Sequence, residues 1–283
     1  MNKFSLRNSI YTLLIFVVAL QACKNSQSSE KKDMKKNEKR YQLVWEDNFD
    51  GDALNATFWN RQVEPAGRFN QEWQRYTDDE KNAYVKDGNL IIEAIHEGKT
   101  HAMNQYTSAR LNTAQKFNFT YGKVVARIKL PQGKGIWPAF WMLGANIDEN
   151  GGDTPWPFTG EIDILELWGS HSDAVVEANV HYADDQGQHA MMGSKSYTLK
   201  EGIFADRFHE FGLEWTKDSL TWTVDETKFA TFDIRDKAFD AFRKDFFLLL
   251  NIAVGGGLAD PPNETTQFPQ KMYVDWVRVY QRK

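Results

Sequence analysis

Val124-Val125-Ala126-Arg127-Ile128-Lys129-Leu130 decides the fold class. Val124, Ala126, Ile128 and Leu130 are apolar at every second position, and Arg127 and Lys129 occupy alternate positions between them. Side chains on a strand point to opposite faces in turn, so this period marks a strand with one face inward. The same rhythm returns at Phe211, Leu213 and Trp215 against Glu210, Gly212 and Glu214. It returns again at Leu220, Trp222 and Val224 against Thr221, Thr223 and Asp225. Short strands broken by Gly, Asn and Asp turns predict an all-β sandwich or jelly roll. Only Asp236 to Lys244 has a helical look, and no internal repeat or interior linker divides the chain. A single β-domain of about 240 residues is large enough to bury a full core.

One strand-like segment breaks the rule that strands bury apolar residues. Gly160-Glu161-Ile162-Asp163-Ile164-Leu165-Glu166-Leu167 holds three carboxylates within six residues. On a regular strand Glu161 and Asp163 share a face and Glu166 points away. One extra residue at Ile164–Leu165, a β-bulge, turns Glu166 to the same side. Two carboxyl groups about 5–5.5 Å apart are what a retaining glycosidase uses as nucleophile and acid/base. Five residues of straight strand separate α-carbons by roughly 16 Å, so bulge, curvature and side-chain convergence must close the gap. A solvated acidic face, or a metal site built on the same carboxylates, fits the spacing as well.

Aromatic residues crowd this segment. Trp137-Pro138-Ala139-Phe140-Trp141-Met142-Leu143 lies upstream and Trp168 just downstream, in a chain with 10 Trp, 10 Tyr and 19 Phe. Sugar C–H faces stack on such rings, although a sandwich core uses them too. Trp137 and Trp141 share a face of a strand, and Pro138 between them argues for an edge or a bend.

Taken together, Trp137–Leu143 followed by Gly160–Glu166 resembles glycoside hydrolase family 16, in its bacterial laminarinase and mixed-linkage β-glucanase branch. Further landmarks extend the likeness from about residue 41 to 283: Leu43–Phe49, Asn70–Thr77, Asp87–Leu90, Tyr106–Arg110, Phe208–Trp215, Asn251–Gly256 and Val274–Tyr280. The resemblance implies a jelly-roll β-sandwich with a concave substrate cleft. It implies a retaining endo-β-glucanase acting on β-1,3- or mixed β-1,3/1,4-glucans, with Glu161 as nucleophile, Glu166 as acid/base and Asp163 supporting the nucleophile. Like-charge neighbours raise a carboxyl pKa, which suits an acid that must be protonated near neutrality. By the same likeness His181 lines the cleft beyond the scissile bond, and Asn70, Glu72 and Arg110 contact glucose units on the non-reducing side. Trp137, Trp141 and Trp168 are the expected stacking surfaces, Trp141 foremost. Relatives also bind a structural calcium, which Asp275 with carbonyls of Gly88 and Asn48 would match; catalysis itself needs no cofactor. One departure stands out: after Gly255-Gly256 the family's Asn-Trp-Pro-Gly is replaced by Gly257-Leu258-Ala259-Asp260-Pro261-Pro262-Asn263, which puts the preferred linkage in question.

The first forty residues read separately. Lys3 and Arg7 precede the apolar run Ile10–Leu20, which is too short to span a bilayer but suits a signal peptide. Leu20-Gln21-Ala22-Cys23 looks like a lipobox, so residues 1–22 are expected to be a lipoprotein signal peptide. Cys23, the single cysteine, is then the lipidated residue of a polar tether over 23–40, with the catalytic domain at 41–283. An ordinary signal peptide with a stray cysteine is the plainer reading. The resulting address is a bacterial membrane-anchored lipoprotein, periplasmic or on the cell surface. The whole chain carries −5, and residues 41–283 alone carry −11, because the first forty residues carry +6. Such a domain repels nucleic acid and suits a neutral β-glucan partner. Phosphate loops and zinc-type Cys or His spacings are missing from the sequence, and a monomer is expected. Two alternatives remain from sequence: hydrolysis of another β-linked polysaccharide such as a galactan, and a glycan-binding lipoprotein without catalysis.

Overall fold

The computed structural model describes residues 40–283. The expected signal peptide, lipidated Cys23 and all of the tether except Arg40 lie outside the described residues. Leu43–Tyr280 form one compact unit. Among the described residues no helix is long and apolar enough to cross a membrane.

Among the described residues, seventeen strands build the fold. The first seven are β1 (Tyr41–Asp47), β2 (Asn60–Gln62), β3 (Gln74–Tyr76), β4 (Ala83–Lys86), β5 (Asn89–His96), β6 (Tyr106–Ser108) and β7 (Arg110–Asn112). Then follow β8 (Gly122–Lys129), β9 (Ile136–Gly144), β10 (Glu161–Glu166), β11 (Val175–Ala183) and β12 (His189–Thr198). The series ends with β13 (His209–Trp215), β14 (Ser219–Val224), β15 (Thr227–Asp233), β16 (Phe246–Val254) and β17 (Gln270–Arg282). The helical expectation near residue 240 reduces to a kinked 3₁₀ segment, Lys237–Arg243, whose start is capped by the Asp236 side chain.

A ten-stranded sheet runs β15-β14-β13-β8-β17-β5-β6-β3, with β1 and β4 attached to β17 and β5. A seven-stranded sheet runs β12-β11-β10-β9-β16-β7-β2. Period-two patterning explains the core between them. Val124, Ala126 and Ile128 of β8, Phe211 and Leu213 of β13 and Trp222 of β14 pack in one cluster with Ile162, Ile164 and Leu165 of β10. The all-β sandwich expected from sequence is the observed fold. One expectation fails: β9, which carries Pro138, is a central strand flanked by β10 and β16. The carbonyl of Pro138 still accepts from Leu167 N–H, 3.2 Å, just beyond the last β9–β10 pair, Glu166↔Ala139, and the same register runs on to Gly169 N–H and Ile136 O at 3.0 Å. Only the one bond that the missing N–H would have donated is lost, so the central position is tolerated.

Candidate active site

The bulge forms where parity requires it. Against β9 the register steps from Asp163↔Trp141 to Leu165↔Phe140, so Ile164 is the extra residue. Against β11 it steps from Asp163↔Asn179 to Glu166↔Glu177. A bulge strands backbone groups that a ladder would pair. Here the freed carbonyl of Asp163 accepts the indole N–H of Trp222 at 2.8 Å, from the opposite sheet across the core. The start of the strand is fixed too: Gly160 has φ +76°, and a Cβ there would meet the Phe242 ring at 3.0 Å.

With the bulge in place, the outer face of the seven-stranded sheet presents one row per strand. Registers put Trp137, Ala139, Trp141 and Leu143 of β9 beside the three acids of β10, and Glu177, Asn179 and His181 of β11 on the other flank. Asn251 of β16 and Arg110 of β7 continue the floor.

The acids sit in different surroundings. Glu166, 7% exposed, accepts Trp137 Nε1–H at 3.0 Å on one oxygen and Asn179 Nδ2–H at 2.7 Å on the other. Asn179 Oδ1 is in turn held by the Ser194 hydroxyl, 3.1 Å away. Glu161 is the least enclosed of the three; its Oε2 accepts Trp156 Nε1–H at 2.9 Å, and Oε1 lies 3.9 Å from His181 Nε2. Asp163, between them, is 3% exposed. His181 Nε2 stands 3.2 Å from its Oδ2, yet off the direction of a hydrogen bond, so that buried oxygen accepts none among the described residues.

Burial pushes all three carboxyls up, each to about 8. Asp163 raises both glutamates further by its charge, while the N–H donors and His181 pull them back. Carboxyls this close titrate as a set that shares protons rather than as three separate groups. Glu161, with its wetter side chain, is the member that ionises at least cost. Glu161, Asp163 and His181 are also near enough to hold a cation.

The other expected residues divide. Trp137 is 6% exposed and stacks on Trp168 with ring centroids 4.3 Å apart, so it serves Glu166 rather than offering an open platform. Ala259, from the departing loop, packs against Trp137 and Ala253. Trp141 is partly open; its N–H goes to Asn251 Oδ1 at 2.7 Å, and the Arg110 guanidinium lies 4.7 Å from its ring. Arg110 is buried and pairs with Glu149 at 2.9 Å. Asn70 and Glu72 belong to a loop pressed on the end of β16, where Gly257 N–H donates to Asn70 O at 2.6 Å. Both Glu72 oxygens are occupied, by Asn70, Gln74 and Tyr76. Of the residues expected around a calcium, the Asp275 carboxylate pairs with Arg127, and the Asn48 side-chain Oδ1 accepts from Arg278 at 3.0 Å. A cation at Asp275 therefore has to compete with a guanidinium.

Two contributors escaped the sequence reading. Asn179 lies two residues before His181, on the same face, and period two would have found it. Trp156 comes from an irregular loop with no periodic signal.

Comparison with known proteins agrees with this geometry. The family model of glycosyl hydrolases family 16 matches residues 70–278. The beta-glucanase of Rhodothermus marinus is 37% identical over 250 residues, 85% of each chain. The glucan endo-1,3-beta-glucosidase of Cryptopygus antarcticus is 38% identical over 228 residues, 76% of this chain and 80% of that one. The catalytic domain of an endo-1,3-beta-glucanase (laminarinase) from Thermotoga petrophila RKU-1 superposes with a TM-score of 0.75 at 40% identity, over 87% of this chain and 99% of that one. A bulged triple-acid strand on the open face of a two-sheet sandwich, with likeness of this depth along most of the chain, places the protein in glycosyl hydrolases family 16.

Proposed function

We propose that this glycoside hydrolase is a retaining endo-β-glucanase that cleaves β-1,3- or mixed β-1,3/1,4-glucans by double displacement. The observation that carries the reading is the bulge at Ile164, which sets Glu161, Asp163 and Glu166 side by side on the open face. Glu161 attacks the anomeric carbon. One of its oxygens is steadied by Trp156, which leaves Oε1 for the new bond. Glu166 first protonates the departing sugar oxygen, then takes a proton from the water that hydrolyses the glycosyl-enzyme. Its surroundings suit both halves: burial and Asp163 favour the acid, and two N–H donors hold the carboxylate once the proton has left. Asp163 keeps proton and charge shared across the trio. Trp141, a partly open ring on the floor, and Arg110 are proposed to receive sugar on the flank away from His181.

Relatives named for β-glucan hydrolysis support the substrate class. The test is to incubate the protein with laminarin and with barley β-glucan and to measure new reducing ends. Release from either supports the reading, and release from neither overturns it. Anchoring through Cys23 and a calcium ion at Asp275 are separate proposals; each rests on sequence resemblance alone.

A further inference from the structure

His189 begins β12, the edge strand of the seven-stranded sheet, eight residues beyond His181. No role follows for it from the triple-acid motif, yet it touches both side chains that hold Glu161. His189 Nε2 lies 2.8 Å from His181 Nδ1, and the two imidazoles stack with centroids 5.1 Å apart. Its other contact is with Trp156, whose ring centroid is 4.5 Å away. Trp156 Nε1–H reaches Glu161 Oε2 at 2.9 Å, and His181 Nε2 faces Asp163 at 3.2 Å and Glu161 at 3.9 Å. The contacts therefore close a ring: His189 to His181 to Glu161 to Trp156 and back to His189.

We infer that His189 is a positioning residue, which fixes the orientation of His181 and Trp156 and through them the attacking carboxylate. The inference rests on the reading of Glu161 as nucleophile. Its physical content is a division of labour on one imidazole. A single hydrogen lies between His189 Nε2 and His181 Nδ1, and it fixes the tilt of the His181 ring toward the acids. The face of the same imidazole backs the Trp156 indole, which comes from a loop and has no ladder to hold it. His189 itself is held below the ordinary histidine range by the partial cover its neighbours give an otherwise exposed ring and by the charge of His181, which suits a neutral ring that gives or takes one hydrogen bond. Neither contact requires His189 to reach the substrate.

Two substitutions separate the two contacts. His189→Phe keeps a ring against Trp156 and loses the bond to His181; His189→Gln keeps a partner for His181 and loses the ring. Loss of one such hydrogen bond corresponds to about a tenfold fall in rate. His189→Phe is expected to lower kcat on laminarin about tenfold with KM within twofold, and His189→Gln, which restores a partner for His181 but not the ring behind Trp156, is expected to recover only part of that loss. Melting temperatures of both variants should match the parent, since His189 is exposed. Independently of turnover, ¹⁵N NMR of the His181 imidazole should show a changed tautomer population in His189→Phe and a nearly native one in His189→Gln. An unchanged His181 spectrum in His189→Phe overturns the inference even if the parent enzyme proves inactive on laminarin, a result that would count against the proposed function alone. A rise in KM at constant kcat also overturns it, because it marks His189 as a substrate contact. So does a fall in melting temperature that accounts for the lost activity.

Discussion

Glu72 and Asp163 are both deeply buried carboxylates, 6% and 3% exposed, and the protein treats them in opposite ways. Glu72 is satisfied. Gln74 and Tyr76 donate to one oxygen at 2.7 and 3.0 Å, Asn70 lies 3.4 Å from the other, and Arg110 adds a favourable charge. Asp163 has an oxygen without a hydrogen bond among the described residues and two more carboxyls for neighbours. The two regions are linked through Asn251, which accepts from Trp141 and donates to Tyr76. Burial raises the proton affinity of both; around Glu72 three donors and Arg110 pull it back, whereas Asp163 has no such partners and is pushed to about 8, which chemistry can use. The cleft is thus rigid at one end and reactive at the other.

Within the reactive end the largest effect is expected at Glu161. Glu161→Gln removes the nucleophile and should lower kcat on laminarin by on the order of 10⁴-fold while oligosaccharide affinity stays near the parent's. Glu166→Gln should cost about 10²–10⁴-fold on polymer, and much less on an aryl glycoside whose leaving group needs little protonation. Measured together, initial rates on both substrates either separate the roles or, if Glu166→Gln is equally poor on both, break the assignment.

The comparison itself is sharpened by stability. Glu72→Ala leaves the Gln74 and Tyr76 donors buried without their acceptor, a loss of about 1–3 kcal/mol. For a domain of this size each kcal/mol lowers Tm by about 2–4 °C. Asp163→Asn removes a buried carboxyl from a crowded set of three without stranding donors, so it should leave Tm level or slightly raised while kcat falls. Calorimetry of the two variants decides it; an Asp163→Asn protein as destabilised as Glu72→Ala would erase the distinction.

A smaller effect is expected in the pH dependence of Tm. As a coupled set, the three acids hold shared protons in the folded state well above the range near 4 where the unfolded chain releases them, with burial pushing each toward about 8. Between those values the folded state binds more protons, so stability falls as pH rises through the window and is fully present below it. Asp163→Asn should flatten that fall, and Glu72→Ala should flatten it less.

Much of this was legible before any coordinates. Alternation at Val124–Leu130 and Leu220–Val224 gave the sandwich, because a strand with one buried face must repeat every two residues. The bulge at Ile164 followed from parity alone, since Glu166 reaches the face of Glu161 only if one residue is inserted. Asn70, Glu72 and Arg110 are legible as residues, but Arg110 is satisfied by Gln62 and Glu149 from distant segments, and Glu72 by Gln74 and Tyr76, whose period-two spacing could have been read. Pro138 misleads because a missing N–H suggests a free edge, whereas the hydrogen bonds on either side of it continue in register and only one is forgone. Trp156 and His189 were invisible for a related reason: a loop and an edge strand meet over Glu161, and no local pattern encodes that meeting. Trp222 was read as core, which it is, but its N–H also pins the bulge.

The central claim is that the bulge makes Glu161 the attacking group. It is tested most directly by trapping the intermediate with a 2-deoxy-2-fluoro laminaribiosyl fluoride, digesting the protein and locating the added mass. The account predicts a single glycosyl group on Glu161 and none on a Glu161→Gln protein. A label on Asp163 or Glu166, or an unlabelled protein that still releases fluoride with inversion, would contradict it.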